Sequence, residues 1–321
     1  MKQYLLKIIT IFLTALSIIG VCASSITVGA SFSSAKKIAD GIDMINVTFE
    51  SCNYTLYGEI YYPTNESNTY PGIVFCEGGG AYASAYDWLP TSLVKAGYVI
   101  FIFDFPGQGK SEGIYPNRGI YIKSLDLFIR FTANKESTIH YKSGTWTKTI
   151  SNAITYLTDE SSVKNIVDKT KIGLVGHSLG AIASTDAATQ DSRINCLVVM
   201  YHGNFTNFNQ VDVPIQFQDG TFDLLSAPPV TIYSYKNAHT PKELIMISSG
   251  THVGFTSVFG SHCLCPEWQK DISLHYTIGW LDYFLKNKTD AYNVITTGTD
   301  HLSKIFRSRY NFGDGEHFLN S

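Results

Sequence analysis

The ten residues Lys171–Gly180, K-I-G-L-V-G-H-S-L-G, place a serine between two glycines directly after a largely apolar run. The run Lys171–Val175 is typical of a buried parallel strand. The residues that follow, Ala181–Thr189, are compatible with a helix, so the stretch predicts a strand that turns sharply into a helix. Such a turn strains the serine backbone and requires small neighbours, which the two glycines are. We therefore interpret Ser178 as a nucleophile held above a sheet; the alternative is an incidental serine in a glycine-rich turn.

Similar apolar runs occur on both sides of this stretch, separated by segments long enough for helices. The runs are Gly72–Cys76, Tyr98–Phe103, Ile194–Tyr201, Pro214–Phe217 and Glu243–Ser248. The clearest helix patterns are Thr149–Leu157 and His275–Leu285. This alternation of strand and helix predicts an α/β fold with a doubly wound, mostly parallel sheet.

The chain before and after these runs follows other patterns. Ile45–Phe49 and Tyr54–Tyr62 carry β-branched and aromatic residues in partial alternation, which predicts an antiparallel N-terminal hairpin. The span 201–214 is too short for a large cap domain, so we expect a fairly open site. We assign residues 42–295 to a catalytic domain and 296–321 to an irregular, peripheral C-terminal tail without a role.

Residues 1–35 have the pattern of a targeting segment. Lys2 and Lys7 precede an uncharged, apolar run and then small residues, as in a signal peptide. The run is also long enough to span a bilayer, so an uncleaved N-terminal membrane anchor is the alternative. Either alternative predicts a protein that is secreted or anchored to the outer face of the cell membrane. Asn-X-Ser/Thr sequons agree with export and lie at Asn46, Asn53, Asn65, Asn204 and Asn287.

The composition argues against several classes of function. With 321 residues, 44% of them hydrophobic, the chain can bury a large core, and its net charge of −3 without long basic runs gives no footprint for nucleic acid.

The pair Cys263 and Cys265 beside His262 lacks the second pair of ligands typical of a zinc site, so we favour loop cysteines. The segment Gly107–Ser111 lacks the fingerprint of a phosphate-binding loop. We expect no metal, no organic cofactor and no nucleic-acid partner.

A serine hydroxyl needs a histidine base and an orienting carboxylate, which should follow in the chain order Ser, Asp, His. Asp223 lies in a loop after the run Pro214–Phe217, and His252 lies in a loop of small residues after the next run. The carboxyl ends of parallel strands are where such sheets place catalytic groups. We prefer Asp223 to the rival Asp219, which is closer to the strand and could cap the turn. We expect His177 to pack, because the turn directs its side chain away from the serine.

The tetrahedral oxygen of an acyl-transfer reaction needs two N–H donors. Leu179 follows the nucleophile and is the first candidate, and the glycine loop after Gly72–Cys76 supplies the second. We assign Gly79, with Gly80 as the alternative and as a substrate-binding residue. Glu77 stands where such loops often carry a histidine; a salt bridge beneath the site and a change in local polarity are the alternatives, and the sequence assigns neither.

Aromatic side chains near the predicted loops could form walls of the site or belong to the core. Tyr82 and Phe222 are the candidates for substrate binding. Trp88 and Phe205 are further possible wall residues.

Four motifs together resemble the α/β-hydrolase superfamily. They are Gly97–Ser111, G-Y-V-I-F-I-F-D-F-P-G-Q-G-K-S, then G-H-S-L-G, G-T-F-D and G-T-H. The chain looks most similar to dienelactone-hydrolase-like and polyester-hydrolase-like serine esterases over about Tyr57–Val294, including the closing helix W-L-D-Y-F-L. The resemblance implies the triad Ser178, Asp223 and His252. It also implies oxyanion donors at Leu179 and Gly79, although Glu77 departs from the common His-Gly start of that loop.

These patterns predict a serine hydrolase that cleaves a small-molecule or polymeric carboxylic ester through an acyl-enzyme. Two alternatives remain. One is a serine peptidase of the prolyl-peptidase-like type, although such enzymes usually carry an extra gating domain. The other is a noncatalytic, surface-anchored binding protein on a hydrolase scaffold.

Overall fold

The apolar runs of the sequence form the strands of one mixed sheet. A computed structural model describes residues 34–113, 144–201, 208–257, 266–297 and 308–319, all within one structural unit, Phe32–Ser321. The strands of this described part are β1 Lys36–Ala39, β2 Ile42–Ser51, β3 Tyr54–Pro63, β4 Tyr70–Cys76, β5 Val99–Phe103, β6 Val167–His177, β7 Ile194–Met200, β8 Ile215–Gly220, β9 Lys242–Ile247, β10 Arg309–Asn311 and β11 His317–Phe318.

Strand order explains how distant segments of the chain reach one edge of the sheet. The order is β1-β2-β3-β5-β4-β6-β7-β8-β9-β10-β11. Each neighbouring pair from β5 through β9 is parallel, whereas β2 and β3 form an antiparallel hairpin from Ile42↔Pro63 to Ser51↔Tyr54. Because the central strands are parallel, the loops after β4, β6, β8 and β9 emerge at the same edge.

Helices cover both faces of this sheet. They are α1 Trp88–Lys95, α2 Thr145–Thr155, α3 Leu179–Ala188, α4 Pro228–Asn237, α5 Glu267–Lys286 and α6 Ala291–Thr297. Successive strand residues point to opposite faces, so Val74 packs in one hydrophobic cluster with α2, α3 and α4. Its neighbour Phe75 packs in a second cluster with α1, α5 and α6. The result is a mixed sheet with helices on both faces, which is compatible with an α/β-hydrolase fold.

The C-terminal tail differs from the irregular structure that we expected. Strand β10 pairs antiparallel with β9 and then with β11, so the tail extends the sheet. The backbone oxygen of Ser308 accepts a hydrogen bond from the N–H of Leu319, and its hydroxyl oxygen accepts one from the N–H of Met246. The sequence signal is weak because these strands have only three and two residues, and β10 is stabilised by the edge of β9 and β11 by the edge of β10.

Several predictions fall on residues outside the described ranges. These are the leader up to residue 33, the sequon at Asn204, the wall residue Phe205 and the Cys263–Cys265 pair. Within the span 201–214, where we expected no large cap, residues 202–207 are also outside. No helix in the described part of the chain is both long enough and apolar enough to cross a membrane. The other four sequon asparagines are exposed.

Candidate active site

The junction of β6 and α3 places Ser178 in a sharp turn. The strand ends at His177, the helix begins at Leu179, and Ser178 between them has a φ of 54°, a strained backbone conformation for a residue with a side chain. A Cβ atom at Gly180 would overlap the backbone carbonyls of Cys76 and Glu77. Glycine at that position therefore allows the first turn of α3 to approach the end of β4 closely.

Ser178, His252 and Asp223 form a continuous hydrogen-bonded chain. The Ser178 Oγ lies 2.9 Å from His252 Nε2, and His252 Nδ1 lies 2.7 Å from Asp223 Oδ2. Because a carboxylate can only accept, Nδ1 carries the proton and Nε2 is left as the acceptor for the serine hydroxyl. The Asp223 side chain is fully buried and that of His252 is 12% exposed. The three residues come from the ends of β6, β8 and β9.

The rival carboxylate, Asp219, has other partners. The N–H of Gly220 and the hydroxyl of Thr231 donate to Asp219 at 2.7 Å and 2.5 Å. Burial and the negative charge of Asp223 raise the pKa of Asp219 to about 8. Burial also acts to raise the pKa of Asp223, but the hydrogen bond and charge of His252 outweigh it and lower the pKa below 3.8. Asp223 thus stays ionised beside His252, while Asp219 holds a proton at neutral pH.

Two N–H groups of the glycine loop after β4 are already engaged. The N–H of Gly78 donates to Tyr86 Oη at 3.1 Å, and that of Gly80 donates to Gln108 Oε1. The N–H of Gly79 lies between these two. Leu179 begins α3, and an N–H in the first turn of a helix has no acceptor within that helix. The arrangement therefore favours Gly79 over Gly80 as the partner of Leu179 in binding an anionic oxygen.

A buried polar cluster supports the glycine loop from below. Glu77 is fully buried, and its Oε1 accepts from the N–H of Phe105 at 3.0 Å and from Gln108 Nε2 at 2.6 Å. Asp104 accepts from the N–H of Ala83 at 2.6 Å and is also buried. Burial raises the Asp104 pKa to about 6, against the opposing effect of its N–H donors. Glu77 thus ties the turn after β5 to the glycine loop, a role that the sequence left unassigned.

The loop that carries His252 is held on two sides. Gln269, from α5, accepts the N–H of Thr251 at 3.1 Å and donates to the Thr251 carbonyl at 2.9 Å. On the other side, His177 Nε2 lies 3.0 Å from the His252 carbonyl oxygen. His177 is buried, which lowers its pKa to about 3, so its ring is neutral near pH 7. The ring of His177 is thus turned away from the hydroxyl of Ser178 and contacts the loop that carries His252.

The predicted wall residues occupy different environments. Tyr82 and Trp88 are half-buried and pack against the second hydrophobic cluster, and Trp88 Nε1 donates to the Phe255 carbonyl at 2.6 Å. By contrast, Phe222 is 62% exposed, and Leu224 and Leu225 are 92% and 64% exposed. These three residues flank the buried Asp223 in sequence and form an exposed apolar segment, here called the 222–225 rim.

Three supporting residues were absent from the sequence prediction. Tyr86, Gln108 and Gln269 each hold a loop of the site through side-chain hydrogen bonds that span 8, 28 and 18 positions of the chain. Gln108 lies in a glycine turn after a strand, which is a usable signal. Tyr86 and Gln269 have no local pattern that distinguishes them from other helix and turn residues.

Known proteins similar to this chain are named as hydrolases and cutinases. The chain is 23% identical over 237 residues to a bis(hydroxyethyl) terephthalate hydrolase of Streptomyces coelicolor, covering 72% of this chain and 63% of that protein. It is 22% identical to Cutinase est2 of Thermobifida alba, covering 72% and 65%, and 22% identical to Cutinase 1 of Thermobifida cellulosilytica, covering 72% and 74%. The chain thus spans less than two thirds of the length of the first two relatives.

The sequence profile of the PET hydrolase-like family matches residues 126–311, more than half of the chain. The resemblance to polyester-hydrolase-like α/β hydrolases is confirmed, and the chain belongs to the PET hydrolase-like family.

Proposed function

We propose that the protein is a serine carboxylic-ester hydrolase on a doubly wound α/β-hydrolase fold without a large cap domain. The observation that carries the proposal is the hydrogen-bonded chain from Ser178 through His252 to the buried carboxylate of Asp223. Membership of the PET hydrolase-like family supports it, as do the relatives named as cutinases and as an ester hydrolase.

The proposed reaction uses each group according to its hydrogen bonds. His252 Nε2 takes the proton of the Ser178 hydroxyl as its oxygen attacks the ester carbonyl, and Asp223 stabilises the imidazolium that forms. The N–H groups of Leu179 and Gly79 bind the developing oxyanion. His252 then protonates the leaving alkoxide, giving an acyl-enzyme. Water, deprotonated by His252, attacks the acyl group; the bond between the acyl carbon and Ser178 Oγ then breaks, His252 returns the proton to Oγ, and the acid is released.

The substrate that we propose is a neutral, apolar ester, either small or the exposed part of a polymer. The exposed 222–225 rim beside Asp223 supports an apolar substrate, because large apolar side chains in water commonly mark binding surfaces. The predicted signal peptide or membrane anchor in 1–35 and the four exposed sequon asparagines support a secreted or surface-anchored location.

The test is hydrolysis of 4-nitrophenyl esters by matched variants. Ser178→Ala should lower kcat by about 10⁴-fold or more, leaving only the contribution of binding and the oxyanion donors. Asp223→Asn should cost about 10⁴-fold, because the amide cannot keep His252 in its productive tautomer. Asp219→Asn is the matched control, and kcat should stay near that of the wild type.

Three outcomes would overturn the proposal. Full esterase activity of Ser178→Ala would exclude the serine as nucleophile. A wild-type protein that a fluorophosphonate probe does not label would favour a noncatalytic binding protein. Faster cleavage of peptide anilides than of nitrophenyl esters would replace the esterase by a peptidase.

A further inference from the structure

A second chain of hydrogen bonds runs behind the site and is made of groups that the proposed reaction does not use. The N–H of Gly78 donates to Tyr86 Oη at 3.1 Å, and Tyr86 Oη lies 2.8 Å from His177 Nδ1. His177 Nε2 lies 3.0 Å from the backbone carbonyl oxygen of His252. Tyr86 is fully buried and His177 is 4% exposed, so water does not compete for these bonds.

The direction of every proton in this chain is determined by its two ends. A backbone N–H can only donate and a backbone carbonyl can only accept. Tyr86 therefore accepts from Gly78 and donates its hydroxyl proton to His177 Nδ1, which leaves the His177 proton on Nε2, directed at His252. This arrangement requires a neutral His177, in agreement with the low pKa that burial gives it. With this one arrangement of protons, every donor and acceptor in this chain of hydrogen bonds has a partner.

We propose that Tyr86 and His177 are positioning residues that set the location of the general base His252 relative to the oxyanion loop and to Ser178. The proposal rests on the function proposed above. The chain joins the peptide beside Gly79 to the backbone of His252 and passes through the residue that precedes Ser178. It thereby links loops from the ends of β4, β6 and β9, which no single element holds together.

Packing around the chain leaves little room for these loops to shift. A Cβ atom at Gly78 would lie 2.9 Å from His177 Nδ1 and 3.2 Å from the Cβ of Ser178. The rings of His177 and His252 have centroids 5.0 Å apart, and Phe255 packs edge-on to His177 at 6.0 Å. A misplacement of catalytic groups by about 1 Å can cost about 10²-fold in rate, so the position of His252 should be visible in kcat.

The experiment compares Tyr86→Phe, His177→Phe and the conservative His177→Gln with the wild type. We expect the two phenylalanine variants to lower kcat by about 10-fold to 100-fold, with a much smaller change in KM. The loss should be larger for an alkyl ester than for a nitrophenyl ester, because only the alkoxide needs a proton from a well-placed His252. His177→Gln keeps an N–H donor near the position of Nε2 and should recover much of the lost kcat.

Tyr98→Phe is the matched control for the loss of a buried tyrosine hydroxyl. Tyr98 is also fully buried, and its hydroxyl donates to Asp282 at 2.7 Å at the opposite end of β5. This variant should lower the melting temperature about as much as Tyr86→Phe without lowering kcat. The double variant Tyr86→Phe/His177→Phe should lose little more kcat than His177→Phe alone, because both changes act through the same carbonyl.

Several outcomes would overturn the proposal while leaving the proposed function intact. If Ser178→Ala is inactive but Tyr86→Phe and His177→Phe keep the wild-type kcat on the alkyl ester, neither residue positions the base. The same conclusion follows if Tyr98→Phe lowers kcat equally, or if the two losses are additive. If His177→Phe does not fold, Tyr86→Phe decides, since it removes a single oxygen atom. An active Ser178→Ala would instead overturn the proposed function itself.

Discussion

Asp219 and Asp223 are two buried carboxylates, four positions apart, whose surroundings shift their pKa values in opposite directions. Asp223 gains a hydrogen bond from His252 at 2.7 Å and N–H donors from Leu225 and Ser226 at 2.8 Å and 2.7 Å, which favour its ionised form. Asp219 accepts hydrogen bonds from Gly220 and Thr231 instead, and burial and the negative charge of Asp223 favour its neutral form. At one pH, such a pair therefore contains one ionised carboxylate and one protonated carboxyl group.

The neutral state of Asp219 makes stability depend on pH. Its pKa is raised from 3.8 to about 8 in the folded protein, so between these values the folded chain holds a proton that the unfolded chain has lost. The contribution of Asp219 to the free energy of unfolding is therefore complete below pH 3.8 and is lost as the pH rises toward 8. The slope is at most about 1.4 kcal/mol per pH unit for one proton. Asp219→Asn removes this slope, so its stability relative to the wild type should increase between pH 5 and pH 8, measured by urea unfolding.

The control for this pH effect is Asp40→Asn, since the Asp40 side chain is fully exposed. Its unfolding free energy should follow that of the wild type at each pH. Parallel pH profiles for Asp219→Asn and the wild type would show that Asp219 is ionised in the folded protein at neutral pH.

At the scale of the elements, the short strand β10 depends on contacts with residues that are distant in the sequence. It occupies the edge of β9, and the next residue, Phe312, lies among five aromatic rings. Their centroids are 5.2 to 6.2 Å from that of Phe312, and they belong to Trp280, Tyr283, Phe284, Tyr292 and Tyr310. Phe312 is thus one of the side chains that anchor the tail to α5 and α6.

Phe312→Ala should loosen this anchor and lower the free energy of unfolding by about 2 kcal/mol, from lost apolar burial and aromatic contacts. The value of kcat should not change, because the tail contacts none of the proposed catalytic residues in the hydrogen bonds described above. Urea unfolding and esterase assays measure the two effects. Phe318→Ala is the matched control, since Phe318 is 48% exposed in β11 and should cost much less. Equal losses for both variants would show that Phe312 does not anchor the tail.

At the scale of the whole molecule, the three most exposed of the large apolar side chains in the described residues are close in sequence to one proposed catalytic residue. Leu224 is 92% exposed and Leu225 is 64% exposed, next to the fully buried carboxylate of Asp223. The buried residue anchors the loop while its neighbours face solvent. A surface of this kind should affect how an apolar substrate binds and not how it reacts.

The variants Leu224→Ser and Leu225→Ser should raise KM for a nitrophenyl hexanoate about 3-fold to 10-fold, since each removes about 1 kcal/mol of apolar contact. The kcat for the short nitrophenyl acetate should stay constant. Steady-state assays on both esters measure the difference. Phe318→Ser, an exposed apolar residue at the edge of the sheet, should leave both substrates unaffected. An equal loss of kcat on both esters would show instead that the 222–225 rim stabilises the loop of Asp223 and does not bind substrate.

The pattern of the chain was enough to predict the central sheet. Runs such as Lys171–Val175 and Ile194–Tyr201 are apolar because parallel strands are buried on both faces, and this requirement is visible in local sequence. The hydrogen bonds among Ser178, His252 and Asp223 agree with the residues chosen from chain order, while their catalytic roles stay a prediction. The boundaries were less accurate: β6 begins at Val167 and α5 at Glu267, because edges and helix ends depend on neighbouring elements.

The sequence by itself determined the central strands and the sharp turn that carries Ser178, because apolar periodicity and glycine requirements are local, and it predicted Asp223 and His252 as the accompanying acid and base. Only the tertiary structure decided which side chains hold these groups in place. Tyr86 meets His177 across 91 positions of the chain, and Gln269 meets Thr251 across 18. The tail likewise became a strand only because β9 offered an unpaired edge. Such contacts arise from packing between distant segments, and a tyrosine or glutamine carries no local pattern that reveals its partner.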